Sequence, residues 1–549
     1  THMFNANIEA PVQLIHPHKL AMELASLPLL GFLMSSFIIF LLVLVKHVLM
    51  KIYTGSAPEK RLPPGPWKLP LLGSLHHILL SRYRDLPHRA LRELSGRHGP
   101  LMLLRLGLVP TLVVSSAEAA REVLKTHDTA FASRHLTPTL AVFSRGGRDI
   151  LFSPYGDLWR QLRRVCVLEL LSSRRVRSFG HIREDEAAGL LRSLADECAR
   201  SGGGSAVVEI GERMSHVIND VVVRSAIGSR CPRRDELLRE IDESVKLTAG
   251  FNLADLFPSS ALARWLSGGL RRAERCNQKV RDIMKDIILE RTSASSTAGA
   301  DGSDISEEED LLTVLLRVQR DGGVQCALTT EIITTVILEM FAAGSETSST
   351  ALEWAMSELV RKPHLLHKAQ AEVREALKGQ HGKITEGDVG KLSYLHLIIR
   401  ETLRLHAPVP FLLPRQCRER CEVMGYEIPE GTKVLVNTWA MCRDGAYWED
   451  AEEFRPERFD DASAAVDFKG GDFEFIPFGA GRRMCPGMGL GLANMELLLA
   501  SLLYHFDWEL PRGGDGKPEE LDMSESFGIT VRRKSKLVLR ATLRIPFSH

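Results

Sequence analysis

The hydrophobic positions along the chain divide it into one long apolar segment and a large body with helical periodicity. Residues 27–45 contain no charged side chain and are dominated by Leu, Ile, Phe and Val. From residue 71 onward, apolar residues mostly recur at the three- to four-residue spacing of amphipathic helices. A few short β-like runs interrupt this pattern, at residues 102–106, 111–115 and 433–436. The pattern predicts one large, mainly α domain with a small β region.

The apolar segment has the length of a single transmembrane helix, because about 20 such residues span the ~30 Å hydrocarbon core of a bilayer. A cleaved signal peptide is the alternative, but the run is long and lacks a small-residue cleavage site after it. Basic residues follow instead, among them Lys46, Lys51 and Arg61. By the positive-inside rule, this asymmetry predicts a membrane anchor at residues 22–50 and a cytosolic body.

Composition divides the rest of the chain further. Residues 1–21 precede Met22-Glu23 and are expected to be an artificial or upstream extension outside the native fold. Residues 51–70 include three closely spaced prolines, Pro63, Pro64 and Pro66, which end a helix and predict a stiff hinge after the anchor. Residues 71–549 are then expected to form the main domain. Within it, the Ser-, Ala- and Gly-rich stretch 292–303 is predicted to be a solvated loop.

Composition and charge exclude several classes of protein. Hydrophobic residues make up 44% of the 549 residues, charged residues 25%, and the net charge is +1, which is a globular mixture. Nucleic-acid-binding domains are usually clearly basic, so no nucleic acid is expected as partner. Nine cysteines are too few for a disulfide scaffold and predict free thiols in a reducing compartment.

The segment with the most informative chemistry is the glycine-rich stretch 475–494 around Cys485. An apolar helix is predicted to begin directly after this cysteine. Backbone N–H groups at a helix N-terminus favour a thiolate. A buried structural cysteine in a glycine-rich turn is one alternative. A nucleotide-binding loop is another, but the glycine spacing differs and no strand–helix–strand unit flanks it.

In this segment the chain resembles the cytochrome P450 superfamily of haem-thiolate monooxygenases. The matching positions are Phe478-x-x-Gly481-x-Arg483-x-Cys485-x-Gly487. The resemblance implies the mainly α cytochrome P450 fold and haem b, iron protoporphyrin IX, as cofactor. It also implies that Cys485 is the axial ligand of the haem iron, that Phe478 packs beside the thiolate, and that Arg483 pairs with a haem propionate.

Two further motifs fit the same family. Glu401 and Arg404 are i,i+3 neighbours on a predicted helix and can form an ion pair. Alone this signal is weak, because solvated pairs of this kind are common. The later segment 455–459, Arg-Pro-Glu-Arg-Phe, resembles a family motif that implies a buried structural triad of Glu401, Arg404 and Arg458.

The long apolar helix predicted for residues 329–361 contains Gly344 and several polar residues near its middle. A helix-packing notch is the plain interpretation. The resemblance implies instead that this helix crosses the distal face of the haem, where small residues make room for O₂ and substrate. Glu346 and Thr347 would then relay protons to the reacting oxygen.

Three residues are expected to contact the haem propionates. Trp159 and Arg163 are i,i+4 neighbours on one helix face, and without the resemblance they would simply indicate a surface amphipathic helix. Arg415 follows an apolar, proline-flanked run. Arginine binds carboxylates in a bidentate geometry, which suits this role.

The resemblance is closest to plant microsomal, A-type enzymes of specialised metabolism. It implies an NADPH- and O₂-dependent monooxygenase that hydroxylates or epoxidises a small hydrophobic metabolite, with a sesqui- or diterpenoid favoured. An indole or phenolic substrate, a non-redox haem-thiolate isomerase or dehydratase, and a non-catalytic haem-binding membrane protein are the alternatives. Substrate contacts are expected from largely uncharged segments at residues 131–152, 337–346, 407–413 and 526–530.

The expected partners and location follow from the same resemblance. The sequence contains no flavin or nicotinamide domain, so electrons are expected from a membrane-bound NADPH–cytochrome P450 reductase. The basic residues expected to steer this acidic donor are Arg163, Arg164, Arg482 and Arg483. The expected location is the endoplasmic reticulum membrane, with a single pass and a cytosolic catalytic domain.

Overall fold

The computed structural model describes residues 34–35, 61–297, 309–321, 328–379, 383–460, 466–512 and 519–546. The chain divides into two units, residues 1–60 and 61–549. In the first unit only Met34 and Ser35 are described, and both are helical. The predicted extension at 1–21 and nearly all of the predicted anchor at 22–50 therefore lie outside the described residues. Within the described ranges, no helix combines the length and apolar character needed to cross a membrane.

The second unit is mainly helical, as the periodicity predicts. Its α-helices are α1 (Leu75–Leu79), α2 (Pro87–His98), α3 (Ala117–Arg121), α4 (Pro138–Phe143), α5 (Asp157–Val165), α6 (Ser173–Ser178), α7 (Gly180–Arg200), α8 (Ile210–Ile227), α9 (Arg234–Leu247), α10 (Leu253–Leu256), α11 (Ala261–Leu266), α12 (Gly268–Thr297), α13 (Leu311–Asp321), α14 (Thr330–Arg361), α15 (Pro363–Ala376), α16 (Glu386–Val389), α17 (Ser393–Leu405), α18 (Thr438–Met441) and α19 (Met488–His505). Helix α12 continues through Thr297, so the loop predicted for 292–303 begins later than expected.

The strands are short and form a small part of the unit. They are β1 (Leu101–Leu106), β2 (Val109–Val114), β3 (Ser133–Arg134), β4 (Ser205–Glu209), β5 (Arg415–Gln416), β6 (Cys421–Val423), β7 (Tyr426–Ile428), β8 (Lys433–Val436), β9 (Phe506–Glu509), β10 (Glu525–Phe527), β11 (Val531–Arg533) and β12 (Val538–Leu543). The largest sheet has the order β1-β2-β8-β5-β3. Strands β1, β2 and β8 confirm the three β-like runs read from the sequence.

The register of the largest sheet brings together residues that are far apart in the sequence. Strands β3 and β5 are antiparallel, and Arg134 lies directly opposite Arg415. Strand β5 in turn pairs with β8, with Arg415 opposite Val434. Since β8 also pairs in parallel with β2, the sheet fixes both arginines relative to the central hairpin.

Helix α14 is the longest helix described, with 32 residues, or about 48 Å at the rise of an α-helix. The Thr329 side chain caps its start by accepting a hydrogen bond from the N–H of Ile332. It ends at Arg361, two residues before Pro363, where a continuing helix is disfavoured. The helix predicted for 329–361 is confirmed, and it packs against α8 and α19.

The proline-rich segment lies against the β region of its own unit. The N–H of Leu103 in β1 donates to the C=O of Pro64 at 2.8 Å, and the N–H of Glu427 donates to the C=O of Arg61 at 2.8 Å. A Cβ at Gly65 would lie 2.2 Å from the C=O of Leu103, so this close approach requires glycine. Residues 61–65 are thus held by backbone contacts.

All cysteines in the described residues are free thiols, which agrees with the prediction from composition. Most are buried among apolar side chains, where cysteine behaves as a small hydrophobic residue. Cys485 differs from them because its side chain is exposed, and the surface it faces is an internal cavity.

Candidate active site

A cavity of about 380 Å³ lies inside the second unit, lined by residues of α5, α14 and α19. All of the residues that the sequence assigned to cofactor binding and catalysis line this one cavity, although they come from four separate segments. They are Trp159, Arg163, Glu346, Thr347, Arg415, Phe478, Arg483 and Cys485. Each of the four segments expected to contact substrate also contributes to its wall.

The loop before α19 presents Cys485 to the cavity. Its N–H donates to the C=O of Phe478 at 2.9 Å, which closes a tight turn. Within this turn Gly481 has φ +66°, and a Cβ there would lie 2.2 Å from the C=O of Leu124. Glycine is therefore required both by the backbone conformation and by the close neighbour. Helix α19 begins at Met488, immediately after the loop.

The electrostatics of Cys485 differ from the expectation based on the helix N-terminus. Burial raises the pKa of the Cys485 thiol, and the N–H of Gly487 and the charge of Arg163 only partly oppose this. The backbone N–H therefore acts in the direction that the sequence predicts, but burial outweighs it. A coordinated metal ion deprotonates a thiol outright, so a cation in the cavity would supply the missing stabilisation.

Four arginines on one side of the cavity form a cluster, which we call the arginine cluster: Arg134, Arg163, Arg415 and Arg483. Burial lowers the pKa of Arg134 well below its usual range, and Arg415 and Arg483 lower it further. Burial and the same kind of repulsion bring the pKa of Arg483 to about 9. The cluster therefore concentrates positive charge in a poorly solvated place, an arrangement that an anion would stabilise.

The present partners of these guanidinium groups are mostly backbone carbonyls. Arg134 Nε donates to the C=O of Leu151 at 3.0 Å, and Arg483 Nε donates to the C=O of Ala132 at 2.7 Å. The guanidinium of Arg483 also lies 4.1 Å from the ring centre of Trp159. Arg415 also pairs with the Asp128 carboxylate at 3.5 Å. Neutral carbonyls orient Arg134 and Arg483 without cancelling their charge, so the cluster retains the capacity to bind carboxylates.

The cavity residues fit the haem that the sequence motif implies. Haem has a flat apolar body, two carboxylates and a metal ion. The cavity offers a largely apolar wall, the arginine cluster and the sulfur of Cys485. Arg134 and Arg415 face each other across two strands, where like charges are unfavourable unless a negative group lies between or beside them. The donor set therefore matches the group in shape and charge.

Helix α14 carries Glu346 and Thr347 to the cavity wall. The Thr347 hydroxyl donates to the C=O of Ala343 at 2.7 Å. Glu346 forms an ion pair with Arg532 and accepts a hydrogen bond from the Thr530 hydroxyl at 2.8 Å. The structure brings both residues to the cavity, but it holds the Glu346 carboxylate in an ion pair that the sequence did not predict.

Gly344 lies where α14 crosses α8. A Cβ at this position would lie 3.2 Å from Cγ2 of Val222, and Gly344 also lines the cavity. Both interpretations of this glycine, a packing notch and space at the cavity, therefore describe real features of the helix.

In Gly344→Ala the added methyl overpacks the α8 contact at a cost of about 1–3 kcal/mol, and the gain in helix propensity offsets about 1 kcal/mol of it. We therefore expect a net fall in the free energy of unfolding of about 2 kcal/mol or less. Urea unfolding of the variant would measure this. If the contact is the cause, adding Val222→Ala to Gly344→Ala should be less destabilising than the sum of the two single changes. Strict additivity would contradict the packing explanation.

The predicted triad residues are brought together outside the cavity. Arg404 donates to both Glu401 carboxylate oxygens at 2.7 and 2.8 Å, and Arg458 Nε donates to Glu401 at 3.0 Å. The N–H of Arg455 adds a fourth donor at 2.7 Å. The side chains of Glu401 and Arg404 have no exposed surface. The network joins α17 to the 3₁₀ turn at Pro456–Phe459.

Three charged residues of the cavity wall were not identified from the sequence: Arg134, Asp149 and Glu339. They lie in segments that were expected to be largely uncharged, so that expectation is wrong at these positions. Arg134 could be found only from its pairing opposite Arg415 in the sheet. Glu339 lies one turn before Ala343 on α14, so its helical spacing relative to the Glu346-Thr347 pair was an available signal.

Comparison with known proteins places these features in a family. The cytochrome P450 family model matches residues 63–539. The chain is 50% identical to dolabradiene monooxygenase of Zea mays over 90% of this chain and 95% of that protein. It is 49% identical to zealexin A1 synthase of Zea mays over 92% of this chain and 97% of that protein.

Among solved structures, a zebrafish cytochrome P450 determined with abiraterone is similar, with a TM-score of 0.66 and 26% identity. The match covers 83% of this chain and 100% of that chain. The family match, the plant relatives and the fold agree with the thiol, arginine and α14 arrangement of the cavity. The chain therefore belongs to the cytochrome P450 family and is a haem-thiolate monooxygenase.

Proposed function

We propose that this protein hydroxylates or epoxidises a small hydrophobic plant metabolite, and that its substrate is a sesqui- or diterpenoid. The observation that carries the proposal is the apolar character of the cavity wall. Its apolar lining includes Phe143, Leu151, Val222, Val245 and Ile529. The similarity to plant terpenoid oxygenases supports the same substrate class.

Residues of four segments would hold the haem. Cys485 would ligate the iron, and the arginine cluster with Trp159 would bind the propionates. Phe478 packs 5.4 Å from Phe468 between ring centres and keeps the loop around Cys485 apolar. When bound, the haem supplies the oxidising chemistry with O₂ and electrons derived from NADPH. The chain itself orients the substrate and excludes water.

Proton movement is assigned to α14. The Thr347 hydroxyl can hold a proton at the cavity surface, and its present acceptor is the C=O of Ala343 within the same helix. Glu346 is the adjacent carboxylate, and its ion pair with Arg532 and hydrogen bond from Thr530 fix the position of its side chain. Release from this ion pair would let Glu346 carry protons from outside the cavity toward Thr347.

We expect Thr347→Ala to lower product formation by about 10²-fold, the lower end of the effect of a positioned proton donor. Haem content and substrate binding should be unchanged, because alanine only removes atoms from the cavity wall and adds none that could clash. Product formed per NADPH consumed is the measurement. Thr347→Ser keeps the hydroxyl and should retain most of the yield. An unchanged product yield in Thr347→Ala would contradict the assignment.

A reductase is the expected electron donor, and the structure narrows which basic residues can steer it. Arg164 and Arg482 are exposed, whereas Arg163 and Arg483 line the cavity. Arg483 is buried and Arg163 is partly buried, which favours the two exposed arginines as the main steering charges. We propose that NADPH–cytochrome P450 reductase approaches the face with Arg164 and Arg482. We also propose that the protein resides in the endoplasmic reticulum membrane.

Coexpression with a reductase and feeding of terpenes, indoles and phenolics would test the substrate class. Oxygenated products from terpene hydrocarbons, dependent on NADPH, are expected. Products from the indoles or phenolics alone would overturn the terpenoid proposal. NADPH-independent conversion of a peroxide would indicate the isomerase or dehydratase alternative. Full biological activity of Thr347→Ala would favour the non-catalytic alternative.

A further inference from the structure

The backbone of residues 150–153 is bound on one side by two carboxyl groups. The N–H groups of residues 150 and 151 point to the carboxyl group of Glu339 in α14, at 3.1 and 3.4 Å. Those of residues 152 and 153 donate to Oδ1 of Asp149, at 2.7 and 2.8 Å. Four consecutive amides thus find acceptors in this carboxyl pair, Asp149 and Glu339.

The carbonyls of the same segment face the arginine cluster. The C=O of Ile150 accepts from Trp159 Nε1 at 3.2 Å, and the C=O of Leu151 accepts from Arg134 Nε at 3.0 Å. The C=O of Ser153 accepts from Arg483. One short stretch of backbone therefore links α14 to the residues assigned to the haem propionates.

The two carboxyl groups are themselves in contact, and the contact requires a proton. Asp149 has no exposed surface, and its Oδ2 has no donor from a nitrogen or hydroxyl among the described residues. The neighbouring group is the Glu339 carboxyl, which accepts from the two amides directly before those bound to Asp149 and acts on the pKa of Asp149 as a side-chain hydrogen-bond partner. Two carboxylates can only accept, so one of them must carry the hydrogen that joins them.

The surroundings place that proton on Glu339. Burial raises the pKa of Glu339, and the charge of Asp149 raises it further. Burial also raises the pKa of Asp149, but hydrogen bonds from residues 152 and 153 and the charge of Arg483 stabilise its ionised form. The other titratable groups facing the pair are Arg134 and Cys166.

We propose that Glu339 is a positioning residue that acts as a neutral acid. It donates its proton to Asp149, and the pair holds residues 150–153 against the arginine cluster. In this arrangement a proton on α14 fixes the geometry of the groups that bind the cofactor carboxylates. The inference deepens the proposed function and rests on it for the haem readout, whereas the backbone readout below is independent of haem chemistry.

The proposal predicts the sign of a pH effect. An unfolded chain releases the Glu339 proton near pH 4.3, whereas the folded protein keeps it to a higher pH. The folded protein then holds more protons, so its free energy of unfolding falls as the pH rises. Once the Glu339 proton leaves, two buried carboxylates repel each other, and they no longer hold residues 150–153 in place.

Three variants of the haem-loaded protein separate the proton from the packing. Glu339→Gln supplies a permanent N–H donor of similar size and keeps one of the two acceptor oxygens, Glu339→Leu supplies neither donor nor acceptor, and Asp149→Asn supplies a donor from the other side. Glu331→Gln is the matched control. It removes another carboxylate of α14, one that pairs at the surface with Arg145 at 2.9 Å.

Two measurements between pH 6 and 9 test the idea. Hydrogen exchange, corrected for the intrinsic effect of pH, reports the protection of the amides of residues 150–153. The rate of haem transfer to an acceptor protein reports how fast haem dissociates from the protein. In the unmodified protein we expect protection to fall and transfer to accelerate with rising pH. Glu339→Gln and Asp149→Asn should remove this dependence, and the control should keep it.

Glu339→Leu should lose about tenfold in protection at every pH, the effect of about one hydrogen bond. The proposal is overturned if Glu339→Gln behaves as Glu339→Leu does, or if neither differs from the unmodified protein in amide protection. Changed protection with unaltered haem transfer would refute the link to the cofactor. Loss of thiolate ligation in Cys485→Ala tests the haem site separately, so the two failures can be distinguished.

Discussion

Cys485→Ala is expected to abolish thiolate ligation and to lower monooxygenase turnover more than about 100-fold. Changing a residue that only contacts a metal ligand costs about 10- to 100-fold, and loss of the ligand itself should cost more. The sulfur faces the cavity, and no other described cysteine lines it. A thiolate donates electron density to the haem iron and favours cleavage of the O–O bond, so no neighbouring group replaces it. The reduced carbon monoxide complex should lose the red-shifted Soret band of thiolate ligation.

Cys166→Ala is the matched control for this change. Cys166 is fully buried, and its thiol is close enough to Cys485 for the two to influence each other electrostatically. It does not line the cavity. We expect the control to keep the thiolate spectrum and most of the turnover. A Cys485→Ala protein that retained the red-shifted band would refute the ligand assignment.

Glu401→Gln is expected to lower the free energy of unfolding by about 3–5 kcal/mol, the typical effect of leaving a buried charge without its partner. Glu401 accepts hydrogen bonds from Arg404, Arg458 and the N–H of Arg455. A neutral amide leaves the positive charge of Arg404 buried and uncompensated. The midpoint of urea unfolding of the haem-loaded protein would measure the effect, with haem release as a second signal.

Glu449→Gln provides the comparison for the triad. It removes the same kind of charge from an ion pair with Arg455 at 2.8 Å, but the Glu449 side chain is 80% exposed. Exposed pairs contribute about 1 kcal/mol or less, so the unfolding midpoint should hardly move. Equal stability of the two variants would mean that the triad does not lock the fold.

The local patterns predicted the elements well. Strands β1, β2 and β8 and helix α14 were found within one or two residues, because a buried strand or helix imposes its own period on neighbouring side chains. The end of α12 was missed because Ser and Ala occur in both helices and loops. The cysteine loop was found because its spacing is fixed by contacts within a few residues, such as that between Cys485 and Phe478.

Long-range pairings were not predictable from the same patterns. Arg134 joins the cluster only because β3 pairs with β5, and nothing in its local sequence specifies that register. The ion pair of Glu346 with Arg532 and the contact of Glu339 with Asp149 likewise join distant segments. Buried charges of this kind are favourable only with their partners, so a single segment cannot reveal them.

The spread of the arginine cluster along the chain has a consequence for biosynthesis. Its first member is Arg134 and its last is Arg483, with the thiol of Cys485 directly after. At about 5–20 residues per second, a ribosome needs tens of seconds to travel between these positions. A nascent chain that already exposes Arg134 therefore has neither the sulfur nor the final cation. Haem capture must await release of nearly the whole polypeptide, and C-terminally truncated translation products should emerge without cofactor.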